Sequence, residues 1–109
     1  MTVWGYVPRI HVQTRLKQAT RIAHTEYQLR SWPMQPFFRD RFLRDFRQRA
    51  PRVFVDAVAP GHFAFTDRST DGFETWPELA AIIAEQFEWV GEADGCRVFI
   101  RTGPSPEPW

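Results

Sequence analysis

Two stretches of this 109-residue chain hold most of the side chains able to do chemistry. The first carries Arg9, His11, Arg15, Arg21, His24 and Tyr27, and the second carries His62, Thr66, Asp67, Arg68 and Asp71. Arginines gathered in this way suit an anionic group, because the guanidinium fork matches phosphate and carboxylate oxygens. Arg9, Arg21, His62, Asp67 and Arg68 are therefore the candidate binding residues, and none is read as catalytic. Asp67 and Asp71 stand beside Arg68 and Gly72, a setting that suits loop-ordering groups better than an acid–base pair. The three histidines lack metal-ligand spacing. No glycine-rich phosphate loop follows a strand, and no serine occupies a nucleophile elbow. The reading contains no metal and no cofactor. Asp56 lies inside an apolar run, and a buried aspartate needs a partner; Arg21 is the one expected.

The elements that must position these groups follow from patterning. Thr2 to Val7 is β-branched and aromatic until Pro8, which reads as a strand, and Ile10 to Val12 suits a second short one. Residues 13–35 have weak periodicity and read mostly as loop around a helical turn and a Thr25–Leu29 piece. In residues 36–50, Phe38, Phe42, Phe46 and Ala50 recur every four positions among arginines. That is an amphipathic helix, begun by Pro36 and ended by Pro51. Val53 to Val58 is nearly all apolar, as a strand covered on both faces requires. A long loop over 59–74 leads to a helix over 75–86, where Thr75 and Glu78 have the spacing of a capping box. Asp94-Gly95 then predicts a two-residue type I′ hairpin. Glu92 is expected opposite Arg97, Val90 opposite Phe99 and Glu88 opposite Arg101, with Trp89, Gly91, Ala93, Cys96, Val98 and Ile100 toward the core.

The predicted fold is α/β: a small, mostly parallel sheet flanked by helices, with a C-terminal antiparallel hairpin at its edge. Residues 1–102 form one domain, and 103–109 read as a proline-rich flexible tail. Ligands of such sheets bind beyond the carboxyl ends of the parallel strands, where the two candidate loops lie.

Composition narrows the classes further. Aromatics make up 16% of residues, enough to fill a small core or to form a face for a sugar or a protein. Residues 1–50 carry ten basic groups against Glu26, Asp40 and Asp45, whereas residues 51–109 carry four against ten acids. The basic groups alternate with aromatics and acids, so the pattern reads as two halves that neutralise each other rather than a nucleic-acid surface. A lone cysteine, Cys96, allows no internal disulfide. No run approaches the roughly 20 apolar residues of a membrane span, and Met-Thr-Val-Trp-Gly-Tyr lacks the form of a signal peptide. As written, the chain reads as soluble and cytoplasmic unless it is cut from a longer one.

Several strings of residues resemble a known family. Val3-Trp4-Gly5-Tyr6-Val7-Pro8, Ala19-Thr20-Arg21 and an aromatic-basic helix ending at Pro51 are followed by Val53-Phe54-Val55-Asp56-Ala57-Val58, Pro77-Glu78-Leu79 and Cys96-Arg97-Val98-Phe99-Ile100-Arg101. Together, over residues 2–102, they resemble the segment after the last membrane span of GT-C type bacterial glycosyltransferases of the dolichyl-phosphate-mannose and aminoarabinose transferase kind. The resemblance implies a non-catalytic extracytoplasmic domain of a polytopic membrane enzyme. That enzyme would use a polyprenyl-phosphate sugar donor, and this domain would cap its membrane-embedded part or contact the glycan acceptor. The family's catalytic carboxylates lie in a loop outside this chain, so no catalytic residue carries over. The alternative from the residues alone is a stand-alone α/β binding module for a small ligand or a protein, in the cytoplasm.

Overall fold

The computed structural model describes residues 1–105. In chain order these form β1 (Thr2–Trp4), α1 (Arg9–Thr14), α2 (Glu26–Leu29), α3 (Gln35–Arg49), β2 (Val53–Asp56), α4 (Arg68–Asp71), a 3-10 turn (Phe73–Thr75), α5 (Pro77–Gln86), β3 (Phe87–Ala93) and β4 (Cys96–Arg101). Among the described residues the sheet has four strands in the order β1-β2-β4-β3. The expected parallel neighbours are there, with Val3 paired to Val55. The remaining pairings, β2 with β4 and β3 with β4, are antiparallel. The sheet is therefore mixed, not mostly parallel, and β4 lies inside it rather than at its edge.

The reason lies in side-chain alternation. On β2, Phe54 and Asp56 point to one face, and on β4 so do Phe99 and Arg97. Antiparallel pairing sets Phe54 opposite Phe99 and Asp56 opposite Arg97, so ring meets ring and charge meets charge. That face receives α3 and α5 and forms the main core of Trp4, Phe42, Phe46, Phe54, Phe73, Trp76, Leu79, Ile82, Ile83, Phe87 and Phe99, among others. The opposite face carries Val3, Val55 and Cys96 and packs against Met1 and Val7, with Ile10, Leu16 and Val53 partly buried beside them.

The hairpin confirms its turn and corrects its register. Asp94 and Gly95 both have positive φ, 52° and 78°, as a type I′ turn demands. Ala93 faces Cys96 and Glu92 faces Arg97 as expected. A bulge between Trp89 and Gly91 then inserts one extra residue, Val90. Beyond it Trp89, not Val90, faces Phe99, and Phe87, not Glu88, faces Arg101. The slip turns Phe87 into the main core and leaves Trp89 and Val90 exposed. Trp89 and Ala93 were expected inward and are exposed, whereas Phe99, expected on the outer face, lies in the main core. Replacing Gly95 with valine should destabilise the domain by about 1 kcal/mol or more, because a β-branched residue resists positive φ. Urea unfolding measures this; an unchanged midpoint would contradict the turn geometry.

Two further expectations change. Ile10 to Val12 is not a strand but part of α1, which starts from Pro8 at φ −64°. Within the mostly loop stretch 13–35, the Thr25–Leu29 piece is helical as α2. The Thr75–Glu78 capping box does not form. Trp76 precedes Pro77, a position that disfavours helical geometry, and it is extended at φ −110° and ψ 98°. The helix therefore starts at Pro77 rather than at 75. The Thr75 hydroxyl donates to the Gly72 carbonyl oxygen at 2.7 Å, and the Glu78 carboxylate accepts from the Trp76 indole N–H at 3.1 Å. Of the segment read as a flexible tail, residues 106–109 lie outside the described residues. Ser105 reaches back and donates to the Ala50 carbonyl oxygen.

Candidate functional site

The carboxyl ends of β1 and β2 carry the two candidate loops, and the structure sorts their residues into three places. The first is an ionic cluster centred on Asp56, which is fully buried. Its partner is Arg97, not the expected Arg21: the Arg97 Nε donates to Asp56 Oδ2 at 2.8 Å, and Nη2 donates to the same oxygen. Nη2 also meets the Glu74 carboxylate at 2.8 Å and 2.9 Å. The guanidinium lies over the rings of Phe73 and Phe99. The Val58 N–H donates to Asp56 Oδ1 at 3.1 Å. Burial pushes the Asp56 carboxyl above its ordinary range; the hydrogen bonds from Arg97 and Val58, and the charges of Arg97 and Arg68, pull it back.

Arg68 extends the cluster. Its Nε donates to the Val58 carbonyl oxygen at 3.0 Å and its Nη2 to the Gly95 carbonyl oxygen at 2.8 Å, with Glu92 3.6 Å away. His62 works in parallel. Its Nδ1 meets the Ala57 carbonyl oxygen and its Nε2 the Asp94 carbonyl oxygen at 3.2 Å. Arg68 and His62 therefore tie the loop after β2 to the hairpin turn. Both are structural clamps at the very edge where a ligand was sought.

The second place is a groove of about 280 Å³ on the sheet's other face, beneath α1. Val53, Val55, Val98 and Cys96 form its floor, Ile10 and Leu16 its wall, and Arg9 and His62 stand at its rim. Of the five candidate binding residues, Arg9 and His62 are brought together here. Burial raises the Cys96 thiol above its usual range, and the carboxylates of Asp56 and Asp94 add to the shift, so it stays a protonated, apolar surface.

Arg21 and Asp67 are elsewhere. Arg21 pairs with Asp45 at 3.3 Å. Asp67 caps α4, accepting from the Ser69 N–H at 2.9 Å and the Ser69 hydroxyl at 2.7 Å, which holds its carboxyl below the usual range.

The third place is a band of rings across the loops after both strands. Gly5 ends β1 with φ 115°, its N–H donating to Thr25 Oγ1 at 2.6 Å and its carbonyl oxygen accepting from the Thr25 N–H at 3.0 Å. That double link lays Tyr6 against His24, ring centroids 4.5 Å apart. Tyr27 of α2 packs on Phe38 of α3 at 4.9 Å, and Trp32 stacks on Phe38 at 5.5 Å. Burial lowers the basicity of His24, with the Glu26 charge opposing.

Sequence reasoning missed Arg97 as the Asp56 partner, Glu74 as its second carboxylate, and the ring band. The first was legible: Phe54-x-Asp56 and Arg97-x-Phe99 are the same spacing in opposite directions, which antiparallel pairing superposes. Among the described residues no group of three His, Cys, Asp or Glu is placed to hold a metal ion, and no helix is long and apolar enough to cross a membrane. Compared with known proteins, the chain matches no protein-family description, no curated protein and no solved structure.

Proposed function

We propose that this chain is a non-catalytic domain, and that its setting is the extracytoplasmic side of a polytopic membrane glycosyltransferase using a polyprenyl-phosphate sugar donor. There it would cap the membrane-embedded part or contact the acceptor. The observation that supports the non-catalytic half is the closure of the Asp56 cluster. Asp56, Arg97, Glu74, Arg68 and His62 all bond to groups of the domain itself, joining β2, β4, the 3-10 turn and the hairpin turn. A general base must reach a substrate proton, and a stabiliser must face developing charge; these groups face one another. The setting rests on the sequence resemblance. Three of the strings that carry it, around Trp4, Val55 and Val98, correspond to β1, β2 and β4, adjacent strands of the sheet.

Incubating the purified chain with a polyprenyl-phosphate sugar and a lipid or peptide acceptor should yield no transfer, and turnover would overturn the non-catalytic reading. The DNA just upstream of the Met1 codon tests the setting separately. An in-frame extension encoding apolar spans supports it, and a ribosome-binding site there removes it.

A second reading, a stand-alone binding module, is favoured by the groove beneath α1. Its apolar floor with Arg9 at the rim suits a small, largely apolar ligand bearing one anionic group. Amide shifts confined to the groove on titrating a short-chain fatty acid would favour this reading over the first.

A further inference from the structure

The ring band continues to the surface at both ends. From Tyr6 it reaches Phe63, 5.6 Å away and 86% exposed. Through His24 and Tyr27 it reaches Phe38 and then Phe37, which is 53% exposed. Met34, 45% exposed, immediately precedes α3, the helix that carries Phe37. Isolated exposed rings are ordinary, whereas a connected series that ends in open rings on both sides calls for a partner.

Charge identifies the partner. Residues 6–41 supply every ring of the band except Phe63, and they carry seven basic groups against Glu26 and Asp40. Arg41 lies over both Phe37 and Phe38, 5.6 Å and 5.0 Å from their centroids, so a cation stands on the band itself. Rings beside arginines are the composition of a membrane–water interface. The rings enter the headgroup layer, and the guanidinium pairs with lipid phosphate.

We propose that the band from Phe63 to Phe37, with Arg41, docks this domain on an anionic bilayer surface. The proposal does not depend on the glycosyltransferase setting, since a free-standing domain with this face would bind the same surface.

Co-sedimentation with vesicles tests it, using phosphatidylcholine alone or mixed equally with phosphatidylglycerol. Binding is expected to the mixed vesicles only, weakening as salt rises. The double variant Phe37→Ser/Phe63→Ser should lower the partition coefficient about tenfold or more, with an unchanged unfolding midpoint because both rings are exposed. Arg41→Gln should lower it less and flatten its salt dependence. Absence of binding to the mixed vesicles overturns the proposal, as does equal binding by the double variant. Ring-dependent self-association, or ring-dependent binding to a soluble oligosaccharide, without vesicle binding would assign the band to another partner and also overturn it. The transfer assay and the upstream reading frame are unaffected by any of these results.

Discussion

Replacing Phe54 with alanine is expected to lower the unfolding free energy by about 3–5 kcal/mol. Phe54 is fully buried on the central strand β2, with ring centroids of Phe73 at 5.3 Å, Phe99 at 5.9 Å, Phe46 at 6.1 Å and Phe87 at 6.2 Å. Those neighbours come from the 3-10 turn, β4, α3 and β3. No single element can collapse into the vacated space without leaving another. A domain of this size has about 5–15 kcal/mol in total, so the loss is a large share of it. Urea unfolding followed by tryptophan fluorescence measures the change. Phe63→Ala, at an exposed ring, is the control and should stay within about 0.5 kcal/mol of the parent. A loss for Phe54→Ala below about 1 kcal/mol would mean that the core recloses around the deletion.

Arg97→Met should destabilise by a similar amount, about 3–5 kcal/mol, for a different reason: it leaves a buried charge without its main partner. Arg68 is 3.8 Å from Asp56, too far to replace the lost hydrogen bonds. The double variant Asp56→Leu/Arg97→Met should lose clearly less than the sum of the two single variants, because it removes the charge as well as its partner. Additive losses would show that the two residues act independently. The Arg97→Met variant should also respond to pH. With the partner gone, the folded-state pKa of Asp56 rises further above its ordinary 3.8. Between the two values the folded state holds a proton that the unfolded state does not. The variant's stability relative to the parent should therefore increase as pH falls through the variant's folded pKa, and the gain is complete below the parent's own folded pKa, which burial already holds above 3.8.

Local patterns were legible where they involved near neighbours in sequence. The four-residue recurrence of rings before Pro51 located α3, and Asp94-Gly95 located the hairpin turn with its first pairs. Legibility failed where one residue altered a neighbour's geometry. Pro77 displaced the start of α5 and so undid the Thr75–Glu78 cap, and the extra residue Val90 shifted the distal half of the hairpin. Of the candidate site, Arg9 and His62 do meet at one groove, Arg68 lies beside them as a clamp, and Arg21 and Asp67 belong to other parts of the surface.

By itself the sequence determined that this is an α/β domain in which strands within residues 2–7 and 53–58 run parallel, because short β-branched and aromatic runs joined through a helix have few other ways to pair. It also contained the +7 and −6 halves and the wealth of rings. Only the tertiary structure decided which edge of β2 received the hairpin, which cation met Asp56, and which rings were left outside. These are choices among partners distant along the chain. Several arginines and many rings could satisfy each local demand, and periodicity does not distinguish them. Burying Asp56 singles out a donor on the same face of the next strand, and Arg97 is in register to supply it. Once β4 occupied that place, the main core was complete with Phe63 and Phe37 still at the surface.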